Sequence, residues 1–296
     1  MSTETVLYDA PGPRARRRAL LGTVIASLLL LGLIGLAVKR LADEGQFSME
    51  LWGPFIDPNN DNFDEVWSLL RRGLAATLVA AALAIVLSLA VGTALGTARI
   101  MLGRGARIPV VGFIELFRGL PVVITIFYVW QVLPELGVNV GPLPGSEGLW
   151  YLVIGLALYN SVILAEILRA GVAALPRGQG EAARAVGMTE GQVMRTVLLP
   201  QAFRIMLPAV ISQLVVVLKD TSLAAILGLY IELLRRGNLI GGLLDNPIQA
   251  LTVVGLIFIL INYGLSRVAV WMERRLSRSS TAAVQVVEST TTGVGA

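Results

Sequence analysis

A lysine and an aspartate stand side by side in the segment LVVVLKDTSLAAILG, residues 214–228. The residues around them are largely apolar, and the chain has only one other lysine, Lys39. An ionised side chain at the middle of a membrane costs about 2.5–3.5 kcal/mol on insertion scales. Two adjacent charges in such a segment predict a structural or functional role for Lys219 and Asp220.

Three roles are open for Lys219 and Asp220. They can form a structural pair that helps to fix a helix break, line a water-filled path that contacts a charged or zwitterionic solute, or lie between two subunits. Adjacent helical residues diverge by about 100°, so a direct pair implies local unwinding or a partner on another span. Counted from Arg204 at about 1.5 Å per residue, Lys219 lies roughly 22 Å along the helix. This depth is the outer half of a hydrocarbon core about 30 Å thick.

Other polar side chains in the apolar segments can bind a solute or hydrogen-bond a neighbouring helix. They are Thr221, Ser222, Gln213, Asn160 and Ser161. Nearer the cytoplasmic side, Glu115 and Arg118 have the i,i+3 spacing of a helical ion pair, which we expect at the inner mouth. Glu166 is expected to pair with Arg169 or Arg204.

The segment 169–204 is the longest loop on the predicted cytoplasmic side, and it contains two helix signals. Glu181 begins a short helix, and Gly187 is expected to end it. Thr189 then caps a second helix, with Gln192 three residues later in the pattern of a capping box. The loop is therefore predicted to be ordered.

The second helix of this loop is expected to run to about Leu199, because Pro200 follows. Val193 and Val197 fall on one face of it. An exposed apolar face of this kind predicts docking into a groove of a partner. The alternative is that the helix pair lies on the bilayer surface or packs on its own spans.

Composition identifies the molecule as a membrane protein. Of its 296 residues, 55% are hydrophobic and 15% charged, well below the roughly 25% charged residues of soluble domains. It has no cysteine and no histidine, which excludes disulfides, thiolate chemistry and imidazole ligands. Apolar runs of spanning length predict six spans, over residues 19–38, 73–98, 109–133, 149–168, 205–232 and 249–271. Gly119 and Pro121 predict that the third crossing starts near residue 120, with 109–118 as a cytoplasmic-side helix.

The arginines predict the orientation. They cluster before span 1, between spans 2 and 3, between spans 4 and 5 and after span 6, whereas the opposite loops are acidic. By the positive-inside rule, both termini are expected in the cytoplasm. Arg235 and Arg236 break this pattern and are expected to snorkel at the outer interface. The first apolar run, of about 19 residues, exceeds a signal h-region of about 7–15, which predicts a retained signal anchor.

The loop residues resemble the EAA motif of ABC-importer permeases. The positions that carry this resemblance are Glu181, Ala182, Ala183, Gly187, Met188, Leu199 and Pro200, with Val197 where the family usually has isoleucine. Segments 114–130, 159–188 and 218–229 are similar to the polar-amino-acid branch of these permeases. The arrangement most resembles the larger permease of an actinobacterial glutamate-type importer.

The resemblance implies an all-α integral membrane protein with six transmembrane helices, a five-helix type I ABC-importer permease core plus one extra N-terminal helix. Residues 1–18 are expected to form a basic cytoplasmic tail, and 19–70 the extra helix with an acidic external loop. The core covers 71–276, with a cytoplasmic coupling loop at 169–204, and 277–296 is predicted to be a disordered cytoplasmic tail. Residues near Lys219 are expected to face the translocation path.

Transport is expected to depend on other chains. No P-loop pattern precedes either lysine, so the chain is not expected to be an ATPase, and neither a cofactor nor a metal is expected in it. ATP with magnesium is expected on a partner ATPase pair that docks on the coupling loop. The resemblance also implies a second permease subunit, either a sister chain or a copy, and an extracytoplasmic amino-acid-binding protein. No nucleic-acid partner is expected.

The resemblance places the chain in the cytoplasmic membrane of a bacterium and favours glutamate, glutamine or aspartate as the solute. Two other classes of function stay open. The first is a secondary transporter or channel that works alone. The second is a membrane signalling subunit whose loop docks a regulator.

Overall fold

The computed structural model describes the backbone of residues 12–291, and this part of the chain contains helices and no β-strand. The helices are α1 (Pro13–Asp43), α2 (Met49–Ile56), α3 (Phe63–Met101), α4 (Arg104–Gly119), α5 (Val122–Glu135), α6 (Glu147–Ala173), α7 (Arg177–Ala185), α8 (Glu190–Gln192), α9 (Leu199–Asp220), α10 (Leu223–Leu227), α11 (Leu233–Leu243) and α12 (Pro247–Thr291). Val193–Leu198, between α8 and α9, is π-helical.

Long apolar helices confirm a multi-pass membrane protein. Five are long and apolar enough to cross a membrane alone: Pro13–Asp43, Phe63–Met101, Glu147–Ala173, the continuous segment Glu190–Leu227, and Pro247–Val268. A sixth crossing is possible only if α4 and α5 are taken together, and they are bent by 111°. The extra N-terminal helix is the first of the five.

The prediction of a continuous third span over residues 109–133 is wrong, whereas the predicted break near residue 120 is confirmed. α4 ends at Gly119, and Pro121 stands directly before α5. Proline has no N–H to continue the helical ladder, and it disfavours helical geometry at the residue before it. α4 therefore turns away sharply from α5.

The segment between α1 and α3 is tied to the start of α12. Trp52 Nε1 donates to the carbonyl of Gln46 at 2.9 Å, and Gln249 Nε2 donates to the same carbonyl at 2.6 Å. Asn246 Nδ2 donates to the carbonyl of Leu51 at 3.0 Å. These bonds hold α2 against the core, although no residue of α1 is buried.

Helix α6 lies at the centre of the molecule, because α3, α5 and α9 all pack on it. Its neighbours approach closely at glycines. A Cβ on Gly92 of α3 would lie 2.8 Å from Leu164 Cβ, and one on Gly155 of α6 would lie 2.7 Å from Ile126 Cα. Because glycine has no side chain, the helix backbones can approach closely at these positions. Close packing of this kind stabilises membrane helices, which have no hydrophobic driving force between them.

The two predicted tails differ from expectation where the structure describes them. α1 begins at Pro13, so the four arginines within residues 14–18 are helical, and residues 1–11 lie outside the described part. The predicted disordered tail is helical to Thr291, and residues 292–296 lie outside the described part. Extending an existing helix adds one backbone hydrogen bond per residue without a new nucleus, so a polar sequence can follow it.

Candidate translocation path and coupling loop

The loop between α6 and α9 folds as two linked helical segments, as the sequence predicts. The first is α7, Arg177–Ala185, so the predicted start at Glu181 is wrong by four residues. Gly187 follows this helix with a φ of 85°. This left-handed conformation favours glycine. The N–H of Gly187 donates to the carbonyl of Arg184, and that of Met188 donates to Ala183, as in a helix C-terminal cap. The predicted helix end at Gly187 is confirmed.

The predicted capping box at the start of the second segment is also confirmed. Gln192 N–H donates to Thr189 Oγ1 at 3.4 Å, and Thr189 N–H donates to Gln192 Oε1 at 2.8 Å. An ion pair that the sequence alone does not indicate closes the turn from the other side. Arg184 donates from Nε to Glu190 Oε1 at 2.5 Å and from Nη2 to Glu190 Oε2 at 3.1 Å. The turn at Gly187 is thus held at both flanks.

The second segment does not end near Leu199, and this part of the prediction is wrong. Val193–Leu198 is π-helical, and α9 begins at Leu199 without interruption, with Pro200 among its first two residues. Proline is tolerated in the first turn of a helix, where its missing N–H has no partner to lose. The loop is therefore continuous with the span that carries Lys219.

The exposed apolar side chain of the loop lies at the turn rather than along the second segment. Val193 and Met194 are 0% and 4% exposed, so the face predicted to dock packs on this chain itself. Val186, next to Gly187, is 78% exposed. Of the other residues predicted to couple, Glu181, Ala182 and Pro200 are exposed, Met188 and Leu199 are half-buried, and Ala183 is buried.

Lys219 and Asp220 both belong to α9 and form no ion pair with each other or with any other described residue within 4.0 Å. Their positions on a helix diverge by about 100°. Lys219 is exposed, whereas Asp220 Oδ2 is buried without a hydrogen-bond partner. The structure does not support a direct Lys219–Asp220 pair, and it leaves a buried oxygen that needs a donor.

The helix breaks directly after Asp220, at Thr221 and Ser222. Thr221 Oγ1 donates to the carbonyl of Leu218 and Ser222 Oγ donates to that of Lys219, each at 2.7 Å. The two hydroxyl protons therefore bond carbonyls of the last turn of α9, and the Lys219 carbonyl also accepts the N–H of Ser222 at 3.1 Å. Each hydroxyl oxygen retains only its capacity to accept a hydrogen bond.

A groove of about 560 Å³ lies beside this break. It is lined by Lys219, Ser222, Leu234, Leu251, Val254, Gly255, Phe258, Ile259 and Asn262. Most of these side chains are apolar, and Lys219 is the one ionisable group among them. An ammonium group beside apolar walls attracts a carboxylate more strongly than it does in water, so the groove is suited to an anionic or zwitterionic molecule.

Gln213 and Asn160 are brought together, but on a different face of α9 from Lys219. Gln213 Nε2 donates to Asn160 Oδ1 at 2.7 Å, and Asn160 Nδ2 donates to the carbonyl of Leu156. Asn160 and Ser161 are both fully buried. Ser161 Oγ bonds the carbonyl of Leu158 in its own helix rather than another helix. In this conformation the polar residues form two separate groups, one between α6 and α9 and one facing α12.

The charges predicted to lie at the inner mouth form a larger network than the sequence predicts. Arg118 Nη2 donates to Glu115 Oε2 at 2.5 Å, and Arg169 Nε donates to Glu166 Oε2 at 3.0 Å, which confirms the first ion pair and selects Arg169 as the partner of Glu166. Arg99 on α3 was expected only as a cytoplasmic-side charge. It also donates to Glu166 and lies 3.9 Å from Glu115.

Arg99 therefore joins α3, α4 and α6. Its side chain is 14% exposed and that of Glu166 is 17% exposed, so the bond is largely shielded from water. The two residues are 67 positions apart, and no local signal in the sequence pairs them. In the described part of the chain, no cluster of three or more acidic residues could hold a metal ion.

Comparisons with known proteins agree with this architecture. Residues 87–278 match the family described as binding-protein-dependent transport system inner membrane component. The chain is 39% identical over 238 residues to the glutamate transport system permease protein GluD of Corynebacterium glutamicum, which covers 80% of this chain and 83% of that protein. It is 33% identical to the probable glutamine ABC transporter permease protein GlnP of Bacillus subtilis, over 58% of this chain and 79% of that protein.

A solved structure is similar over the same region. It is a crystal structure of an amino acid ABC transporter with histidines, with a TM-score of 0.64 and 27% sequence identity. The match covers 72% of this chain and 96% of that chain. A second one, of a bacterial alginate ABC transporter, has a TM-score of 0.59 at 14% identity and is similar in fold alone.

Proposed function

The chain belongs to the family of binding-protein-dependent transport system inner membrane components and is the permease subunit of an ABC importer, and we propose that the solute it carries is a polar amino acid. Glutamate, glutamine and aspartate are favoured. The solute assignment is supported by two relatives whose names state glutamate and glutamine. It is also supported by the placement of Lys219 in a groove without a carboxylate.

The observation that carries the coupling mechanism is the turn at Gly187. Its left-handed glycine, its capping box and the Arg184–Glu190 pair fix a compact turn that presents an exposed Val186. An apolar side chain on an ordered, protruding turn fits the groove of a partner. We infer that this partner is the ATP-binding subunit, which holds the ATP and magnesium, because the chain carries no P-loop of its own.

The connection between this turn and the path explains how a push on it could move the spans. The second loop segment continues without a break into α9, which carries Gln213 and Lys219. Gln213 is hydrogen-bonded to Asn160 of α6, and α6 leads into the other side of the loop. A displacement of the turn is thus passed to α9 and α6 together, and the spans rock about the solute between them, as in alternating access.

The remaining parts of the assembly follow from the same proposal. Both termini and the Gly187 turn lie in the cytoplasm of a bacterium, where the clustered arginines are favoured. A second permease subunit, as a sister chain or a copy, completes the path, and an extracytoplasmic binding protein supplies the solute. The extra α1 helix, which no other described residue buries, makes pairing with a sister chain the favoured arrangement.

Uptake competition tests the solute. Radiolabelled glutamate uptake is measured in cells that carry the full operon, with each unlabelled amino acid as competitor. Glutamate, glutamine and aspartate are expected to compete, and histidine, arginine and leucine are not. Strong competition by a basic or apolar amino acid alone would reassign the solute.

Reconstitution of the single chain tests the class of transporter. In liposomes without any partner, the purified chain is expected to accumulate no solute under a sodium or proton gradient. Accumulation under those conditions would make it a secondary transporter. Accumulation only with the ATPase, the binding protein and ATP is the result that the importer mechanism requires.

A further inference from the structure

Two pairs of adjacent arginines lie at the end of the molecule opposite the Gly187 turn. Arg71 and Arg72 stand near the start of α3, and Arg235 and Arg236 stand near the start of α11. In the orientation proposed above, on which this inference rests, that end is external. The positive-inside rule disfavours arginine clusters there, so these residues need a reason for their position.

The two pairs meet at Gly73. A Cβ on Gly73 would lie 2.8 Å from Arg236 Cγ and 3.2 Å from Arg236 Cβ. The stem of Arg236 therefore lies across α3 at the position directly after Arg72, in space that only glycine leaves open. The packing places the stem of Arg236 against the residue that follows Arg72, so the two arginine pairs lie at the same level of the molecule.

No carboxylate neutralises these arginines in the described part of the chain. None of the four takes part in the ion pairs of the structure. Glu232 lies one turn before Arg236, but its oxygens accept the N–H groups of Leu234 at 2.8 Å and Arg235 at 2.7 Å. Arg236 Nε is inaccessible to solvent and has no acceptor. Buried donors without partners are rare in proteins, and no described group supplies an acceptor for this nitrogen, so the charge of Arg236 has no partner within the described chain.

The depth of these arginines in the membrane indicates which kind of anion lies beside them. Arg72 and Arg99 belong to the same helix, α3, and their spacing along it corresponds to about 40 Å at about 1.5 Å per residue. A bilayer with its headgroups is about 40–45 Å thick. With Arg99 at the cytoplasmic interface, Arg72 lies at the level of the external headgroups, where lipid phosphates are found. Arg71 and Arg72 are both exposed.

We propose that Arg72 and Arg236 bind the phosphate of an anionic phospholipid in the external leaflet, with Arg71 and Arg235 adding charge around it. A guanidinium offers several N–H donors in a planar fork that matches two phosphate oxygens. A carboxylate surface of the binding protein is the competing partner. It is disfavoured because Arg72, by its spacing from Arg99 along α3, lies at headgroup depth.

Native mass spectrometry of the intact transporter, prepared with phosphatidylglycerol, tests the site. The variant Arg72→Gln/Arg236→Gln is expected to lose phosphatidylglycerol occupancy about ten-fold, as loss of a charge-assisted hydrogen bond predicts. The matched control Arg104→Gln/Arg107→Gln removes two exposed cytoplasmic-side arginines and is expected to change nothing. Arg72→Lys/Arg236→Lys is expected to retain most of the binding. Size-exclusion chromatography verifies that each variant remains assembled.

If the variants do not assemble, the unaltered transporter decides the question. Raising the salt concentration is then expected to lower occupancy by phosphatidylglycerol and leave that by phosphatidylcholine unchanged. Equal occupancy in the glutamine variant and the unaltered protein, or equal retention of both lipids in salt, overturns the proposal. Normal lipid occupancy with weakened binding-protein affinity would assign the arginines to protein docking. Competition by millimolar inorganic phosphate would identify a site for free anions instead.

The orientation is tested by cysteine labelling. The chain contains no cysteine, so an introduced cysteine is the only site that a maleimide can label. The variant Ser48→Cys, at an exposed position beside α2, is expected to react with a membrane-impermeant maleimide in intact cells. Failure of this label would remove the orientation and leave the importer assignment unaffected. Normal labelling with unchanged lipid occupancy would remove the lipid site alone.

Discussion

Gln213 of α9 donates a hydrogen bond of 2.7 Å to Asn160 of α6, and this bond links the two helices that emerge from opposite sides of the coupling loop. Asn160 is fully buried and also donates to the carbonyl of Leu156. A buried amide with both ends engaged fixes the relative rotation of the two helices. Because one helix continues from the loop and the other leads into it, the bond ties together the two helices that flank the loop.

A double-mutant cycle with Asn160→Ala and Gln213→Ala measures this bond. The coupling free energy is expected to be about 0.6–1.7 kcal/mol, the range for interhelical hydrogen bonds in membranes. Thermal unfolding of the purified protein gives the value. Ser161→Ala is the matched control, since Ser161 is equally buried but bonds only its own helix. Equal coupling of Gln213 to both residues would contradict the assignment.

Local features of the coupling loop could be predicted from sequence, because they depend on residues a few positions apart. Gly187 ends a helix and Thr189 begins one through contacts with residues that the same stretch supplies. The break at residue 120 also follows from one proline. Such features depend on backbone geometry that neighbouring residues dictate, so they survive the packing of the whole molecule.

Features that depend on packing could not be predicted. Arg99 pairs with Glu166 because close contact at Gly92 and Gly96 brings α3 onto α6, and nothing near either residue specifies that register. Pro200 was expected to end a helix, yet the π-helical turn before it lets the helix continue. Likewise, Val193 is apolar on a helix face, and only the packed structure shows that this face is turned inward.

Arg99→Gln is expected to destabilise the protein strongly. Glu166 would keep its partner Arg169, but α3 would lose its bond to α6 and its proximity to Glu115 of α4. Because Glu166 keeps Arg169, the loss is expected to stay below the cost of about 3–5 kcal/mol for a buried charge left without a partner. Thermal unfolding in detergent measures the loss. Arg107→Gln, at an exposed position of α4, serves as the control and is expected to unfold at the wild-type temperature.

Exchange of the two charges separates a specific pair from a general requirement for arginine. Arg99→Glu/Glu166→Arg is expected to recover part of the stability that either single charge reversal removes. Recovery should be incomplete, because Arg169 and Arg118 pair with Glu166 and Glu115 in the native protein. After the exchange, an arginine at position 166 would face Arg169. If the double variant is no more stable than the worse single one, Arg99 does not act through Glu166.

Glu232 gives the end of the molecule opposite the Gly187 turn a dependence of stability on pH. Burial raises the pKa of Glu232 above its usual value, although the backbone N–H groups of Leu234 and Arg235 act to lower it. The folded state therefore holds the proton more tightly than the unfolded state does. This contribution to stability is complete below the unfolded pKa and is lost as the pH rises through the folded pKa.

Glu232→Gln is expected to remove this part of the pH dependence. The amide oxygen can still accept one of the two backbone N–H groups, so the start of α11 is retained. Melting temperatures are compared across pH 4–8 for the wild type, Glu232→Gln and the control Glu50→Gln, whose side chain is exposed. Parallel curves for wild type and Glu232→Gln would show that Glu232 does not titrate in this range.

Lys219→Ala and Asp220→Ala are expected to impair transport while leaving assembly intact. Neither side chain has an ion-pair partner among the described residues, so little packing depends on their charge. Lys219→Ala should raise the KM for an acidic amino acid more than it lowers maximal uptake, because it removes an attraction present from the moment of binding. Lys39→Ala, the only other lysine, is the control. Wild-type uptake by both variants would make the two residues incidental to the path.

Substitutions at Gly187 test the coupling turn most sharply, because this position combines a left-handed backbone with open space. Nothing lies within 4 Å of a Cβ placed on Gly187, so the cost of Gly187→Ala comes from its φ of 85° alone. That cost is about 1–2 kcal/mol for a residue with a Cβ, and Gly187→Asn should suffer less. Gly178→Ala is the matched control, since its Cβ is equally free and its φ is not positive.

The readout that distinguishes coupling from stability is ATP hydrolysis stimulated by the loaded binding protein. Gly187→Ala is expected to retain the permease in the membrane, to weaken co-purification of the ATPase and to lower stimulated hydrolysis together with uptake. Val186→Asp should have the same effect without strain in the backbone, because it places a charge on the exposed apolar side chain of the turn. Normal uptake and normal ATPase retention in both variants, with Gly178→Ala unchanged, would mean that the ATPase acts on the permease at a site other than this turn.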